Sequence, residues 1–148
     1  MCRALLAVGA DPNKGSDSKS PLHLAAATGQ DDFVRMLLDA GAETETQDSR
    51  RWTPLLRASC TGHANIVHML LAEGADYDAR EPEDMRTPLL MAAAQGHAGI
   101  VKALLDEGAC HTARDRYGES SVYVAADANH ADILRELIVT RYTLNLEP

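Results

Sequence analysis

The chain has 148 residues, of which 45% are hydrophobic, and its 14 Lys and Arg against 22 Asp and Glu give a formal net charge of −8. This fits one soluble domain with a continuous core and argues against nucleic acid as a partner. The absence of an apolar run of about 18 residues predicts no membrane insertion. Three widely spaced cysteines favour reduced thiols and an intracellular location, cytoplasmic or nuclear.

The first segment, MCRALLAVGAD, is apolar and ends in a Gly-Ala pair at Gly9. The same pair returns at Gly41, Gly74 and Gly108, at intervals of 32, 33 and 34 residues. Self-similarity at a nearly fixed interval is the mark of a repeat architecture. The opening segment is therefore interpreted as the second helix of an incomplete unit.

A first helix is predicted in each later unit, with a signal at both of its ends. Thr53 and Thr87 can cap orphan helix amides, and the proline after each suits the first helical position. Ser20 is expected to act in the same way one unit earlier. Glycines at positions 29, 62 and 96, and Asn129 in the last unit, are expected to end these helices in the left-handed conformation.

A second helix is predicted to follow in each unit, with the sequences DFVRMLLDAGA, NIVHMLLAEGA, GIVKALLDEGA and DILRELIVTRY. In the first of them, Phe33, Val34, Leu37 and Leu38 fall on one apolar stripe. A single unit of about 33 residues cannot bury such a stripe by itself, so neighbouring units are expected to stack.

The period and the segments SPLHLAAATGQ, TPLLRASCTGH and TPLLMAAAQGH resemble the ankyrin repeat over nearly the whole chain. The resemblance implies an all-α solenoid of stacked helix-turn-helix pairs joined by β-hairpin-like loops. The predicted single domain, 1–148, divides into a partial repeat 1–14, repeats 15–47, 48–80 and 81–114, a terminal repeat 115–142, and a tail 143–148. Leu5 and Leu6 then form an uncapped apolar stripe, which indicates either a fragment of a longer array or an atypical cap.

Six histidines raise the question of a metal or catalytic site, but their spacing favours a structural role. His63, His97 and His130 share one phase after the inter-helix turn, which predicts a hydrogen bond across that turn. The resemblance implies that His23 bonds toward a neighbouring loop. Cys60 and His63 are separated by a helix end and lack the geometry of a nucleophile. No phosphate-loop, nucleophile-elbow or zinc-protease motif occurs, so no enzyme activity, metal or cofactor is expected.

The resemblance implies a binding surface. In ankyrin arrays partners bind to the hairpin tips and to the exposed side of the first helices, which together line a concave groove. Trp52, the only tryptophan, precedes a helix cap at a predicted loop tip. There it either projects toward a ligand or covers the adjacent hairpin. The predicted partner-binding residues are Arg50, Trp52, Arg57, Thr61, Met85, Arg86, Gln95, Arg116, Tyr117 and Asp127.

The predicted function is non-enzymatic binding of a protein or peptide, as a scaffold or adaptor. Arginines concentrated near the hairpins suggest an acidic segment in the ligand, because guanidinium groups match carboxylates. Asp48, Glu81 and Asp115 lie among these arginines, however, so local ion pairing is the alternative. The alternative function is structural stacking within a longer array or between copies through the N-terminal stripe; otherwise a monomer is expected.

Overall fold

Helices make up most of the part of the chain that the computed structural model describes, residues 10–15 and 20–144, with 141–144 described as backbone alone. Eight helices fall in these ranges. They form four pairs: α1 (Pro21–Thr28) with α2 (Asp31–Asp39), α3 (Pro54–Thr61) with α4 (Ala64–Ala72), α5 (Pro88–Gln95) with α6 (Ala98–Asp106), and α7 (Ser121–Asp127) with α8 (Ala131–Leu144). First helices pack on first helices and second on second, so the pairs stack in two layers. The predicted all-α repeat solenoid is confirmed.

The predicted caps at Thr53 and Thr87 form, and Ser120 caps its helix in the same way, but Ser20 does not. The hydroxyls of Thr53, Thr87 and Ser120 each accept a hydrogen bond from the backbone N–H three residues ahead, at 3.3 to 3.4 Å. Ser20 makes no such bond; its Oγ lies 2.8 Å from Nδ1 of His23. The capping prediction for Ser20 is therefore wrong, because in this repeat alone a histidine stands where the other first helices carry leucine or tyrosine.

The ends of three first helices are joined to the following repeat by a histidine. Nε2 of His63 lies 3.3 Å from the carbonyl oxygen of Ala27 in the preceding helix pair, and His97 and His130 make the corresponding contacts at 3.2 Å. A carbonyl oxygen only accepts, so Nε2 carries the proton and donates. A hydrogen bond was correctly predicted, but its acceptor lies in the neighbouring repeat and not across the same turn.

These histidines also explain why the helix ends need glycine. Gly29, Gly62 and Gly96 have φ between 72° and 86°, as predicted, and Asn129 has φ of 60°. A Cβ atom at any of the three glycines would lie 2.6 to 2.7 Å from the Cε1 atom of the stacked imidazole. The position therefore requires glycine for its backbone conformation and also for the close approach of the next repeat.

The core runs along the interface between the two layers and between repeats. Val34 and Leu37 of the predicted stripe are buried, whereas Phe33 is 39% exposed. The residues at the position of Phe33 in the next two repeats, Ile66 and Ile100, are fully buried. Phe33 keeps the phase of the stripe but lines an apolar hollow with Leu24.

Some features of the predicted pattern lie outside the described residues. They are the apolar stripe at Leu5 and Leu6, the hairpin tip before Ser20, and the last four residues of the tail. Among the helices that are described, none combines the length and the apolar character that crossing a bilayer requires.

Candidate functional site

A buried carboxylate organises the hairpin that precedes α3. Oδ1 of Asp48 accepts from the backbone N–H groups of Arg50 and Trp52, at 2.8 and 3.1 Å, and Oδ2 accepts from the guanidinium of Arg57. Burial by itself would raise the pKa of Asp48, but Arg57 and the two N–H groups outweigh it and hold the pKa below its ordinary value. This loop is therefore fixed by an ionised, fully paired side chain.

The hairpin before α5 uses a glutamate for the same purpose. The carboxylate of Glu81 accepts from the backbone N–H groups of Glu83, Asp84 and Arg86, at 2.8 to 3.1 Å. This loop carries the extra residue recognised in the sequence, and the hairpin closes from Glu81 N–H to the carbonyl of Arg86 at 3.1 Å. The additional methylene of glutamate gives the carboxylate the reach that the longer loop needs.

The hairpin before α7 is fixed by Asp115 and tied to the hairpin before it. Oδ1 of Asp115 accepts from two N–H groups of its own loop at 2.9 Å, and Oδ2 accepts from Nε of Arg86 at 3.2 Å. The Arg116 N–H donates to the carbonyl of Asp84 at 2.7 Å, and its Nη2 donates to the carbonyl of Pro82 at 2.9 Å. Arg86 and Arg116, both predicted to bind a partner, thus also hold two hairpins together.

Trp52 is half-buried, so its indole does not project freely from the core, and the geometry favours the packing alternative. The Arg57 guanidinium lies 4.4 Å from the centroid of the indole ring, and Nε1 is buried with no hydrogen-bond partner among the described residues. The backbone oxygen of Trp52 accepts from Nε2 of His23 at 2.9 Å, which confirms the bond to a neighbouring loop. One face of the indole therefore packs against Arg57.

The other predicted binding residues lie in two exposed rows. Thr61, Gln95 and Asp127 are each the last residue of a first helix and are exposed. On the hairpins, Tyr117 is 68% exposed and Met85 is exposed at a backbone φ of 59°. Arg50 and Arg116 are also exposed hairpin residues. Met91 on α5 is buried and belongs to neither row.

A cavity of about 300 Å³ lies between α1 and the hairpin that Asp48 organises. Its lining is made of two arginines, one carboxylate, one histidine and three other residues: His23, Leu24, Ala27, Asp48, Ser49, Arg50 and Arg57. Two residues of the predicted set, Arg50 and Arg57, therefore face one common space.

Asp48, Glu81 and Asp115 are the structurally important residues that sequence reasoning left unassigned. They recur at intervals of 33 and 34 residues, in phase with the repeat, and all three are buried. That phase was the available signal, because an acid repeated with the unit has a role in the unit.

No group of three His, Cys, Asp or Glu side chains within the described ranges is arranged to hold a metal ion. Burial raises the pKa of the Cys60 thiol, which disfavours the nucleophilic thiolate.

Comparison with protein-family models matches a model of ankyrin repeats, in three copies, to residues 1–81 and again to residues 78–147. Comparison with curated proteins gives no significant match. Ankyrin repeats are generally protein-protein interaction modules and are typically not enzymes. The paired helices, the phased glycines and histidines, and this match over most of the sequence agree: the chain belongs to the ankyrin-repeat family.

Proposed function

We propose that this chain is a non-enzymatic recognition module that binds a protein or peptide through its hairpin tips and first-helix ends, as a scaffold or adaptor. The observation that carries the proposal is the pairing of firmly held loops with exposed side chains. The hairpin around Asp115 is fixed by buried hydrogen bonds, yet it presents Tyr117 at 68% exposure. A rigid aromatic side chain loses little entropy on binding and contributes strongly to protein interfaces.

The ten predicted contact residues fall into two groups under this proposal. Trp52, Arg57, Arg86 and Arg116 use part of their surface for packing, ion pairs or hydrogen bonds within the array. The remaining six are expected to contact the partner mainly with free side-chain surface: Arg50, Thr61, Met85, Gln95, Tyr117 and Asp127. The proposal also includes an intracellular location, cytoplasmic or nuclear, where the free thiols of Cys60 and Cys110 stay reduced.

Site-specific photocrosslinking tests which surface binds. A benzophenone amino acid at Gln95 or Tyr117 would report on the proposed surface, and the same group at Lys102 or Arg135 would report on the exposed side of the second helices. We expect a discrete crosslinked partner in cell extract from the first two positions only. Crosslinks confined to Lys102 and Arg135 would contradict the proposal.

Stacking against another repeat or another copy is the second candidate, and the last helix pair favours it. Val122 is 37% exposed and Tyr123 is 55% exposed, whereas the residues at the same positions in α3 and α5 are at most 1% exposed. Those inner positions are covered by the next repeat, so the face at α7 offers the same kind of surface to an incoming helix pair.

Sedimentation over a range of concentrations separates the two candidates. Stacking between copies predicts a mass that rises with concentration and returns to that of a monomer in Tyr123→Glu, or in Leu5→Glu if the N-terminal stripe takes part. A monomer at all concentrations would leave stacking between copies unsupported, and peptide recognition does not require association of the chain with itself.

A further inference from the structure

The cavity between α1 and the Asp48 hairpin carries unbalanced positive charge. Both oxygens of Asp48 are occupied, Oδ1 by two backbone N–H groups and Oδ2 by Arg57. Arg50 is exposed, and its guanidinium makes no hydrogen bond or ion pair with any described residue. Two arginines and one carboxylate therefore line this cavity, in a chain whose formal net charge is −8.

Histidine adds no charge to this space. His23 donates from Nε2 to the carbonyl of Trp52, and its Nδ1 lies 2.8 Å from the hydroxyl of Ser20. A hydroxyl can donate to Nδ1, and burial lowers the pKa of the imidazole, so the ring is neutral at pH 7. The local excess is thus one positive charge, contributed by Arg50.

Arg57 is held in one orientation and still has N–H groups that donate to no described residue. Its Nε and Nη2 bind Asp48, its plane lies over Trp52, and Nη1 makes no hydrogen bond within the described part of the chain. A guanidinium fixed in this way binds an incoming carboxylate without first losing side-chain entropy. On the opposite wall, Leu24 is 60% exposed and offers an apolar contact.

We propose that this cavity binds the carboxylate of a glutamate or aspartate in a peptide segment, between Arg50 and Arg57, with a neighbouring aliphatic side chain against Leu24. The inference rests on the proposed function, since it assigns a ligand class to part of that surface. One carboxylate matches an excess of one positive charge. A phosphate dianion would bring a second negative charge close to the buried carboxylate of Asp48.

Two blocked decapeptides, GSGSLEGSGS and GSGSLQGSGS, test the charge requirement directly. The readout is the nitrogen-proton NMR spectrum of the full chain, in which Trp52 supplies a unique indole signal beside the cavity. We expect the glutamate peptide to shift the signals of Trp52 and Arg57 Nε at a concentration of about 10 mM or below, as a weak single-site ligand would. The glutamine peptide is expected to leave them in place.

Two variants of matched charge identify the residue responsible. Arg50→Gln should lower the affinity for the glutamate peptide by about fivefold or more, because one charge-assisted contact is lost. Arg135→Gln removes the same charge from an exposed position on α8 and should leave the affinity unchanged. Added salt should weaken binding to the wild-type chain.

Equal shifts with both peptides, or no shift with either, would overturn the carboxylate assignment. Neither result bears on the proposed function, which is judged by crosslinks from Gln95 and Tyr117 at a distance from this cavity. Conversely, glutamate-specific shifts without crosslinks from Gln95 and Tyr117 would support the cavity as a carboxylate site and contradict the proposal that the hairpin tips and first-helix ends bind a partner.

Discussion

Nε2 of His23 lies 2.9 Å from the carbonyl oxygen of Trp52 and joins the first helix of one repeat to the hairpin of the next. The bond requires a proton on Nε2 and leaves Nδ1 to accept from Ser20, so a neutral imidazole satisfies both contacts. A positively charged ring could no longer accept a hydrogen bond at Nδ1, and burial together with Arg57 would oppose its charge more than Asp48 favours it.

Acid should therefore weaken the fold through His23 before it affects the buried aspartates. The pKa of His23 is lower in the folded chain than its ordinary value of 6.5, mainly because of burial. Its contribution to stability is complete above 6.5 and is lost as pH falls through the folded-state pKa. Urea unfolding at about pH 7.5 and about pH 5.5 should show a smaller loss of unfolding free energy in His23→Gln than in the wild type.

The exposed His68 on α4 supplies the matched control. His68→Gln should lose as much unfolding free energy as the wild type between the two pH values. Equal losses in the wild type and in His23→Gln would show that the buried imidazole does not limit stability in acid.

The carboxylate of Asp115 should matter far more than its place in a surface loop suggests. Asp115→Asn keeps the shape of the side chain but removes the charge that binds Arg86 and two backbone N–H groups. We expect a loss of about 1 to 3 kcal/mol of unfolding free energy at neutral pH, measured by urea denaturation. Asp127→Asn, at an exposed position, should change it by less than about 0.5 kcal/mol.

Proton linkage gives a second measure of the same residue. Burial opposes the charge of Asp115, but its N–H donors and Arg86 hold the pKa below the ordinary value of 3.8. Its stabilising contribution is present above that value and is lost as pH falls through the folded-state pKa. The wild type should therefore lose more stability than Asp115→Asn below 3.8. Parallel pH profiles for the two chains would contradict the assignment.

Alanine substitutions at two glycines distinguish the cost of backbone strain from the cost of a clash with the next repeat. Gly62 and Gly74 have similar φ values of 86° and 80°, but only at Gly62 would a Cβ meet an imidazole, that of His97, at 2.6 Å. Gly74→Ala should lose about 1 kcal/mol from strain alone. Gly62→Ala should lose distinctly more in the same thermal or urea unfolding experiment.

A double variant tests whether the additional loss comes from the imidazole. The unfolding free energies of Gly62→Ala, His97→Ala and the combined variant form a cycle, and we expect the combined loss to be smaller than the sum. Additive losses would mean that the close approach to His97 has no energetic consequence.

The reach of Glu81 across the longest described hairpin can be tested by shortening it. Glu81→Asp keeps the charge but withdraws the carboxylate from the N–H groups of Asp84 and Arg86, to which it now accepts at 2.8 and 3.1 Å. We expect a loss of about 1 to 2 kcal/mol in urea unfolding. Glu83→Asp changes an exposed side chain of the same loop and should be nearly neutral.

Local signals made most of the fold predictable. The caps at Thr53 and Thr87 and the turns at Gly62 and Gly96 depend on backbone geometry within a few residues, so the sequence states them directly. Repetition at a nearly constant interval then made the stacking of neighbouring units predictable. The division into repeats at particular residues remains a prediction.

Side-chain partners at longer range were harder to predict. The repeat phase of Asp48 indicates a structural role, but every described hairpin mixes acids with arginines, and the order of residues does not show that Arg57 is the partner of Asp48. Trp52 illustrates the same limit, because its burial depends on an arginine in the following helix. The sequence therefore allows these residues to be assigned to one predicted surface, but it does not show which of them are free to contact a partner and which stabilise the hairpins.

The contacts of His63, His97 and His130 with the preceding repeats have a consequence for how such an array can change in length. Each internal unit offers a glycine to the unit after it and a histidine to the unit before it, so the junction chemistry is the same at every step. A unit that carries both residues can be duplicated or deleted without creating an unfamiliar junction. The array is therefore extensible by whole repeats.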